Sequence, residues 1–333
     1  MLIPSFTKQL LLTACTLGLV ACGSVAPPST APATSLSAAT AVTPAIAGVV
    51  AAGTSIELLK EGFKGTEGPV ALRDGSLIFT ETQANRITRI AADGSTSTFL
   101  DNSNGANGLG FTANGDLYAV QVLIPRVGII APPGRAKTLA DQFEGKPFGR
   151  PNDLVVTKQG GVYFTDSGAF QTTPDQTPTA TPAVYYIPPG GTLRRIASDI
   201  ERPNGIQLSP DEIVLYVANT LGEHVLAYDI AADGTLGPRR NFARLAGWSK
   251  ADTGYASGAD GLAVDANGRL YVASNVGIEV FSAAGVALGS IPLPKKPQNL
   301  AFAGTDKKSL YVVGRGSAYK IAVLTPGFAG RAK

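Results

Sequence analysis

Six segments of the chain share one pattern: a polar residue, an apolar run, a tight turn and a second apolar run. The polar residues are Glu67, Asn107, Asn152, Asn204, Asp260 and Asn299. The second runs open ten or eleven residues later, at Leu77, Leu117, Val162, Leu215, Leu270 and Leu310. An isolated Asn-Gly is only a turn signal. A polar residue in one phase of six repeats indicates a shared role.

The spacing of these residues predicts the fold. Successive polar residues lie 40, 45, 52, 56 and 39 positions apart, and units of this length with short strands are typical of propeller blades. Four strands are readable in the fifth repeat, at 262–264, 270–273, 278–282 and 287–291. The sixth repeat ends after three strands, and residues 55–61 are predicted to supply the fourth. We therefore predict an all-β, six-bladed propeller of four-stranded antiparallel blades, with seven blades or a sandwich as alternatives.

The first 22 residues predict export. An apolar stretch of about a dozen residues ends at Leu19-Val20-Ala21-Cys22, which resembles the lipobox of bacterial lipoproteins, where the Cys is acylated. An ordinary cleaved signal is the alternative. Residues 23–53, rich in Ala, Pro, Ser and Thr, predict a flexible tether, and 54–333 the propeller. We expect a domain lipid-anchored through Cys22 to the bacterial cell envelope, at the outer membrane if the cell has one.

Composition excludes several classes of function. The net charge is +3 and no Lys/Arg run occurs, which argues against nucleic-acid binding and against membrane contact other than the lipid anchor. The single histidine, His224, falls in the third strand of the fourth repeat. A histidine-built zinc site and a Ser-His-Asp triad are therefore disfavoured. We expect a monomer.

The six polar residues predict a ring of oxygen ligands. The first strand of each propeller blade lines the central channel, so side chains that begin these strands converge at one mouth. Two acids and four carboxamides suit one hard divalent cation, Ca²⁺ first, with Mg²⁺, Mn²⁺ and Zn²⁺ as alternatives. The other interpretation is a ring that only caps the channel by hydrogen bonds. Unpaired buried carboxylates are costly, which favours the cation.

The second strands return to the same mouth. Their ends bring further polar residues to the rim: Glu81, Gln121, Asp166, Asn219, Asn275 and Arg315. The longest insertion, residues 168–183, leaves this rim in the third repeat and is a candidate lid or substrate wall.

Four motifs resemble the regucalcin/gluconolactonase family, which includes senescence-marker-protein-type and luciferin-regenerating-enzyme-like members. They are EGP (67–69), RPND (150–153), PNGI (203–206) with the SPDEIVLYVANT that follows, and ADGLAVDANGRLYVAS (259–274). The resemblance covers residues 62–325. It implies a six-bladed propeller with one catalytic divalent metal in its channel and the hydrolysis of lactones.

The resemblance also implies roles for individual residues. Glu67, Asn204 and Asp260 correspond to metal ligands, and Asn152 to a neighbour that contacts the metal or its bound water and substrate. ANGLGF and PQNLAF are similar to the bacterial gluconolactonase branch, which implies that Asn107 and Asn299 support the ligands or contact substrate. The chain departs from that branch at FTDSGAF (164–170), so substrate contacts at this wall are not carried over.

The reaction implied is hydrolysis of a cyclic ester. A carboxylate takes a proton from water and returns it to the leaving ring oxygen, while the cation polarises the carbonyl. The resemblance gives the proton transfer to Asp260. A carboxylate bound to a dication is a weak base, so Asp166, or a hydroxide on the cation, is the alternative.

The sequence therefore predicts a metal-dependent hydrolase of a small lactone or sugar-derived substrate. Asn219 at the rim is a candidate substrate contact. Arg150 and Arg202 each precede a ring motif and are either substrate-anion ligands or surface packing residues. The alternative function is a non-catalytic propeller that binds a ligand, a partner protein or Ca²⁺ on the same face, because a fold alone does not determine function.

Overall fold

The computed structural model describes residues 41–169, 180–251 and 254–333. Cys22 with its signal segment, residues 23–40 of the predicted tether, and residues 170–179 of the predicted lid lie outside the described residues. Within the described ranges, strands form nearly all of the regular structure, with two short 3-10 turns at Thr82–Ala84 and Pro133–Arg135. No helix among the described residues is long and apolar enough to cross a membrane.

The strands form six four-stranded antiparallel sheets, and the six-bladed prediction is confirmed. The first strand, β1 (Ile56–Glu61), belongs to the last blade. Blades 1 and 2 consist of β2 (Thr66–Ala71), β3 (Leu77–Glu81), β4 (Arg86–Ile90) and β5 (Thr96–Asp101), then β6 (Ala106–Phe111), β7 (Leu117–Gln121), β8 (Arg126–Ala131) and β9 (Lys137–Ala140). A small hairpin, β10 (Gln142–Phe143) and β11 (Lys146–Pro147), precedes blade 3.

Blades 3 and 4 consist of β12 (Pro151–Val156), β13 (Val162–Asp166), β14 (Ala183–Ile187) and β15 (Arg194–Ala197), then β16 (Pro203–Leu208), β17 (Val214–Asn219), β18 (His224–Asp229) and β19 (Arg240–Arg244). A second hairpin, β20 (Ser249–Ala251) and β21 (Gly254–Ala256), leads to blade 5. Blade 5 contains β22 (Leu262–Val264), β23 (Leu270–Ser274), β24 (Gly277–Phe281) and β25 (Ala287–Ile291). Blade 6 contains β26 (Asn299–Ala303), β27 (Ser309–Gly314) and β28 (Ser317–Ala322).

Blade 6 is closed by the start of the domain, as the repeat predicted. Strand β1 pairs antiparallel with β28, from Ile56 opposite Ile321 to Glu61 opposite Ser317. Blade 6 is therefore completed by the strand that directly precedes blade 1, and the two blades are joined by packed side chains. A ring closed in this way exposes only the short outer strand of each blade, which limits edge-to-edge association.

Residues 41–53 correct the predicted tether. They are not a free linker but pack on the propeller, because Ile46, Val49 and Val50 are buried in the cluster between blades 5 and 6. A tight turn holds them, with the Ile46 amide donating to the Val50 carbonyl at 3.0 Å. Apolar residues that can reach a core are buried even when the surrounding composition is that of a linker.

Six buried clusters stabilise the ring, one between each pair of neighbouring blades. Between blades 5 and 6, for example, the rings of Tyr271 and Phe302 pack edge to face with centroids 5.0 Å apart. Each large apolar side chain buried in this way contributes about 1.5–3 kcal/mol. The described residues contain no cysteine, so this packing and the ring closure hold the domain together.

Candidate functional site

Strand pairing defines one level of residues around the channel mouth. In five blades, one residue of the inner strand pairs with the residue two positions after the start of the second strand run. These inner-strand residues are Leu109, Leu154, Ile206, Leu262 and Leu300. In blade 1 this position is Pro69, because Val70 pairs with Ile78. The residues two positions earlier occupy the same level, and we call them the upper ring: Glu67, Asn107, Asn152, Asn204, Asp260 and Gln298.

This pairing corrects the sixth repeat by one residue. Gln298, not Asn299, is equivalent to the other ring residues, and Asn299 lies one position deeper in the channel. Gln298 is nevertheless joined to the ring, since its Nε2 donates to Glu67 Oε1 at 3.1 Å. The polar pair Gln298-Asn299 stands where the second, fourth and fifth repeats have Asn-Gly or Asp-Gly, and that comparison would have found it in the sequence.

Three oxygens of the upper ring have no hydrogen-bond partner within the part of the chain that the structure describes. They are Oδ1 of Asn107, Asn204 and Asp260, all buried. The opposite side of the Asn204 amide is fixed, because its Nδ2 donates to Thr220 Oγ1 at 3.1 Å. Thr220 in turn donates to the Ala259 carbonyl at 2.8 Å, which ties blade 4 to the segment carrying Asp260. Buried acceptors without partners are rare, and a bound ion or water is one way to satisfy them.

The two ring acids repel each other. Removal from water, with repulsion from Asp153, raises the pKa of Glu67 to about 7, although the Asn299 amide partly offsets the shift. Burial and the nearby Glu67 carboxylate raise the pKa of Asp260 well above its usual range, against the opposing effect of Lys296. An empty ring is therefore electrostatically unfavourable when both acids are ionised.

The raised pKa of Glu67, caused first by burial, predicts how stability depends on pH. Folded Glu67 keeps its proton up to a pKa of about 7, whereas the unfolded residue loses it near 4.5, so its contribution to stability is lost as pH rises across that window. For chelator-treated protein, the free energy of unfolding of wild type relative to Glu67→Gln should fall by roughly 3 kcal/mol between about pH 4.5 and 8. Urea unfolding at several pH values measures it, and a flat difference contradicts the argument.

The channel narrows directly beneath the upper ring, at a level that we call the waist. Four of its six residues are glycine, namely Gly68, Gly108, Gly205 and Gly261. The neighbouring strands leave no room for a side chain: a Cβ on Gly205 would lie 2.1 Å from the Asp260 carbonyl oxygen. Only blades 3 and 6 carry side chains here, Asp153 and Asn299.

Asp153 and Asn299 close the waist. Blades 3 and 6 face each other across the axis, and Asn299 Nδ2 lies 3.4 Å from Asp153 Oδ2 and 3.3 Å from Glu67 Oε2. Asp153 Oδ2 also accepts a hydrogen bond from Lys333 Nζ, which reaches it from below. The upper ring is therefore the wall of a pocket with a polar floor. The signal for Asp153 was an acid where most repeats have glycine.

Asp166 is occupied by a structural role. Its Oδ1 accepts hydrogen bonds from the amides of Arg150 at 2.7 Å and Gly168 at 2.9 Å, and its Oδ2 accepts one from Gly149 at 2.8 Å. Burial raises the pKa of Asp166, opposed by these three amides. The carboxylate thus shapes the loop that leads into Asn152.

The ends of other second strands have the same function. Glu81 accepts from the Lys64 amide at 2.9 Å, Gln121 donates to the Ser103 carbonyl at 2.7 Å, and Asn219 accepts from the Arg202 amide at 3.2 Å. Each ties down the loop before the inner strand of its own blade. Asn219, predicted as a substrate contact, is 3% exposed and engaged in this way.

Three cationic residues, Arg202, Lys296 and Arg315, lie close enough to Asp260 to interact with its charge, and Arg150 lies close to Arg202. We call these four residues the cationic rim. Lys296 Nζ donates to Asn275 Oδ1 at 2.5 Å, beside Gly258 on the loop before Asp260. Arg315, whose φ of 50° few non-glycine residues adopt, donates its amide to Gln298 Oε1 at 2.8 Å.

Charge and burial act together on the rim. Burial and the nearby Arg150 lower the pKa of Arg202, while Asp260 opposes the shift. Burial and Arg315 likewise lower the pKa of Lys296, again opposed by Asp260. Among the described residues, neither Lys296 nor Arg315 forms a salt bridge. Positive charge therefore lies beside the acidic ring on the side of Asp260 and Gln298.

The donor set of the ring is oxygen only. No three His, Cys, Asp or Glu side chains group as a metal site in residues 41–169, 180–251 and 254–333, because the ring combines two acids with carboxamides. His224 lies on β18, the third strand of blade 4, as predicted. Such a set can hold a hard cation or a polar small molecule, but it offers no nucleophilic Ser or Cys with a base.

The fold and this ring define a class: a six-bladed propeller with an acidic, oxygen-lined pocket at one mouth of its channel. Residues 65–315 match the SMP-30/gluconolactonase/LRE-like region. The chain belongs to that family, as the motifs indicated.

Similar proteins agree with this assignment. A gluconolactonase of Zymomonas mobilis is 28% identical over 312 residues, covering 86% of each chain. A solved gluconolactonase from Xanthomonas campestris is 27% identical with a TM-score of 0.73, covering 85% of this chain and 95% of the other. The calcium-binding protein regucalcin from Agrobacterium tumefaciens shares the fold at 18% identity, with a TM-score of 0.65 over 82% and 95% of the chains.

Proposed function

We propose that the protein is a lactone hydrolase whose active site is the upper ring and which uses one divalent cation, Ca²⁺ in the first place. The main support for the cation is the set of three buried oxygens without hydrogen-bond partners among the described residues, which lie beside two acids that repel each other. Relatives named gluconolactonase support the reaction.

The residues present fit such a cation. Glu67, Asn152, Asn204 and Asp260 would hold it, since carboxylate and carboxamide oxygens are the ligands of hard cations, and Asn107 is the further unpartnered oxygen of the ring. When bound, a divalent cation supplies Lewis acidity that polarises a carbonyl and stabilises charge on its oxygen. It would also relieve the repulsion between the two acids.

Asp260 is the residue we assign to proton transfer. Its Oδ1 is unpartnered within the described residues, whereas both oxygens of Asp166 accept backbone hydrogen bonds. As the water oxygen bonds to the lactone carbonyl carbon, Asp260 accepts the proton that the water loses. The bond from that carbon to the ring oxygen then breaks, and Asp260 returns the proton to the leaving oxygen.

A lactone panel with and without chelator tests this function. We expect the protein to open the ring of at least one small lactone, and the acid released allows the rate to be measured from the change in pH. Chelation should lower this rate at least about 100-fold, and added Ca²⁺ should restore it. A rate of hydrolysis that the chelator does not change would contradict the proposed dependence on a divalent cation. Calcium binding without turnover of any lactone supports the binding-propeller alternative instead.

We further propose that the substrate carries a negative group, such as a carboxylate, outside the lactone ring. With two ring acids neutralised by a dication, Lys296 and Arg315, which form no salt bridge among the described residues, leave this side of the pocket positive, which favours anions. Lys296 and Arg315 stand above the pocket on the side of Asp260 and Gln298. A charge-assisted hydrogen bond contributes about 1.5–3 kcal/mol.

The rim predicts a substrate-dependent effect. Lys296→Gln and Arg315→Gln should each raise KM for a carboxylate-bearing lactone about tenfold or more and leave KM for a neutral lactone of similar size within about twofold. Steady-state kinetics on the two substrates measures this. Lys295→Gln is the matched control, because Lys295 pairs with Glu61 at 2.8 Å instead. Equal changes for both lactones would contradict substrate-charge recognition.

A further inference from the structure

Residues 326–333 form a strap across the mouth opposite the upper ring. Backbone and side-chain hydrogen bonds tie the strap to blades 5, 6 and 1: Ala266 N to Pro326 O at 2.9 Å, Phe328 N to Val264 O at 3.0 Å, Lys307 Nζ to Phe328 O at 3.1 Å and Ala71 N to Ala332 O at 2.8 Å. A cavity of about 710 Å³ lies beside it at this mouth, away from the ring.

Arg331 fastens the strap to blade 4. Its Nη2 donates to the carbonyls of Leu208 at 2.6 Å and Ser209 at 2.9 Å, and its Nη1 pairs with Glu212 Oε1 at 3.1 Å. The guanidinium also stacks over the ring of Phe328, 4.7 Å from its centroid. Four partners hold this side chain, so the residues that follow it have a fixed path.

That path leads into the channel. Lys333 is 6% exposed, and its ammonium bonds Asp153 Oδ2 at the waist. The same carboxylate oxygen contacts Asn299, which contacts Glu67 in the ring above. A buried cation is thus connected to a ring acid through two side chains. A lysine buried to this extent needs a counter-charge, and Asp153 provides it.

We propose that Lys333 is a positioning residue for the upper ring. Its ammonium holds Asp153 and Asn299 as the floor of the pocket and, as a fixed positive charge beneath Glu67, sets how tightly the ring binds a divalent cation. This inference rests on the cation site proposed above.

The argument predicts opposite signs for two neutralising substitutions. Lys333→Met removes a positive charge and leaves Asp153 as an uncompensated negative charge, which attracts a cation. Asp153→Asn removes the negative charge and leaves the ammonium uncompensated, which repels a cation. In a partly buried site one such charge changes affinity by about tenfold. A role limited to packing would weaken binding in both variants, because each loosens the floor.

Calorimetric titration of chelator-treated protein with Ca²⁺ at one fixed pH tests the proposal. We expect Kd to fall about tenfold in Lys333→Met, to rise about tenfold in Asp153→Asn, and to return within about threefold of wild type in the double variant. Lys333→Arg is the control that keeps the charge, and its affinity should stay near that of wild type.

Each possible result of this titration either supports or overturns the proposed role of Lys333. Shifts of the same sign in the two single variants, or no shift in either, overturn the proposal. If Lys333→Met does not fold, the double variant must still bind Ca²⁺ more tightly than Asp153→Asn alone, and equal affinity overturns it. If the wild-type protein binds no Ca²⁺, both the proposed cation site and this inference are wrong. Wild type that binds while its variants do not separate removes the inference alone.

Discussion

Lactone hydrolysis should fall by about three orders of magnitude or more in the Asp260→Asn variant, because the substitution removes both the proposed ligand charge and the group assigned to proton transfer. The free energy of unfolding of this variant should instead increase when no cation is bound. Without a cation, Asp260 repels Glu67 and both pKa values are raised, so the neutral amide should stabilise the chelated protein near neutral pH. Steady-state kcat/KM and urea unfolding of the same preparations measure the two effects.

Asp93→Asn is a matched control for this variant. Asp93 is an exposed turn residue of blade 1 whose carboxylate accepts the Ser95 amide at 2.9 Å. Its activity should stay within about twofold of wild type. An Asp260→Asn enzyme that retains more than about a tenth of the wild-type rate, or that loses activity only because it unfolds, would remove Asp260 from the chemistry.

Truncation of Asp166 should cost mainly stability. Asp166→Ala leaves the amides of Gly149, Arg150 and Gly168 without an acceptor, and the lost contacts amount to about 3 kcal/mol or more. Asp166→Asn keeps Oδ1, which serves Arg150 and Gly168, and loses only the bond to Gly149. We therefore expect a graded loss of stability, larger for Ala, and less than about a tenfold loss of activity for Asn.

These two variants also decide between the candidate bases. If Asp166 transferred the proton, Asp166→Asn would lose activity by about 100-fold or more while unfolding at the wild-type denaturant concentration. Denaturant unfolding followed beside kcat/KM separates that case from the structural one. The loop preceding Asn152 should also become accessible to hydrogen exchange in Asp166→Ala, because its amides lose their buried acceptor.

The fold and the upper part of the site were readable in the sequence because the repeat carries both. Strand pairing is periodic, so a polar residue such as Asn107 or Asn204 that opens each inner strand must converge on the axis once the ring closes. Closure by residues near Ser55 followed from the missing strand of the sixth repeat. Local pattern and global topology agreed at these positions.

The errors lie where tertiary contacts override the local pattern. Asn299 was placed one residue too high because the sixth repeat reads Gln-Asn where three others read Asn-Gly or Asp-Gly. A phase error of one residue moves a side chain to another level of the channel. Ile46 and Val50 lie in a linker-like composition, yet they pack on blades 5 and 6.

Lys333 could not have been predicted at all. Its partner, Asp153, is 180 residues away in sequence, and the strap that carries it has no periodicity to indicate a path. Lys296 was not predicted either, since its approach to Asp260 depends on the loop between blades 5 and 6. The position of Arg315 at the rim, in contrast, followed from the end of the second strand of its repeat. A sequence repeat predicts contacts that recur in every blade, whereas the contacts of Lys333 and Lys296 occur only once among the described residues.

The side chains of Asp153, Asn299 and Lys333 meet under the pocket. With this floor in place, a lactone would reach the upper ring, and the opened hydroxy acid would leave it, through the same mouth of the channel. The product carries a carboxylate, which the positive side chains at that mouth attract. We therefore expect accumulated product to bind the pocket and to compete with fresh substrate.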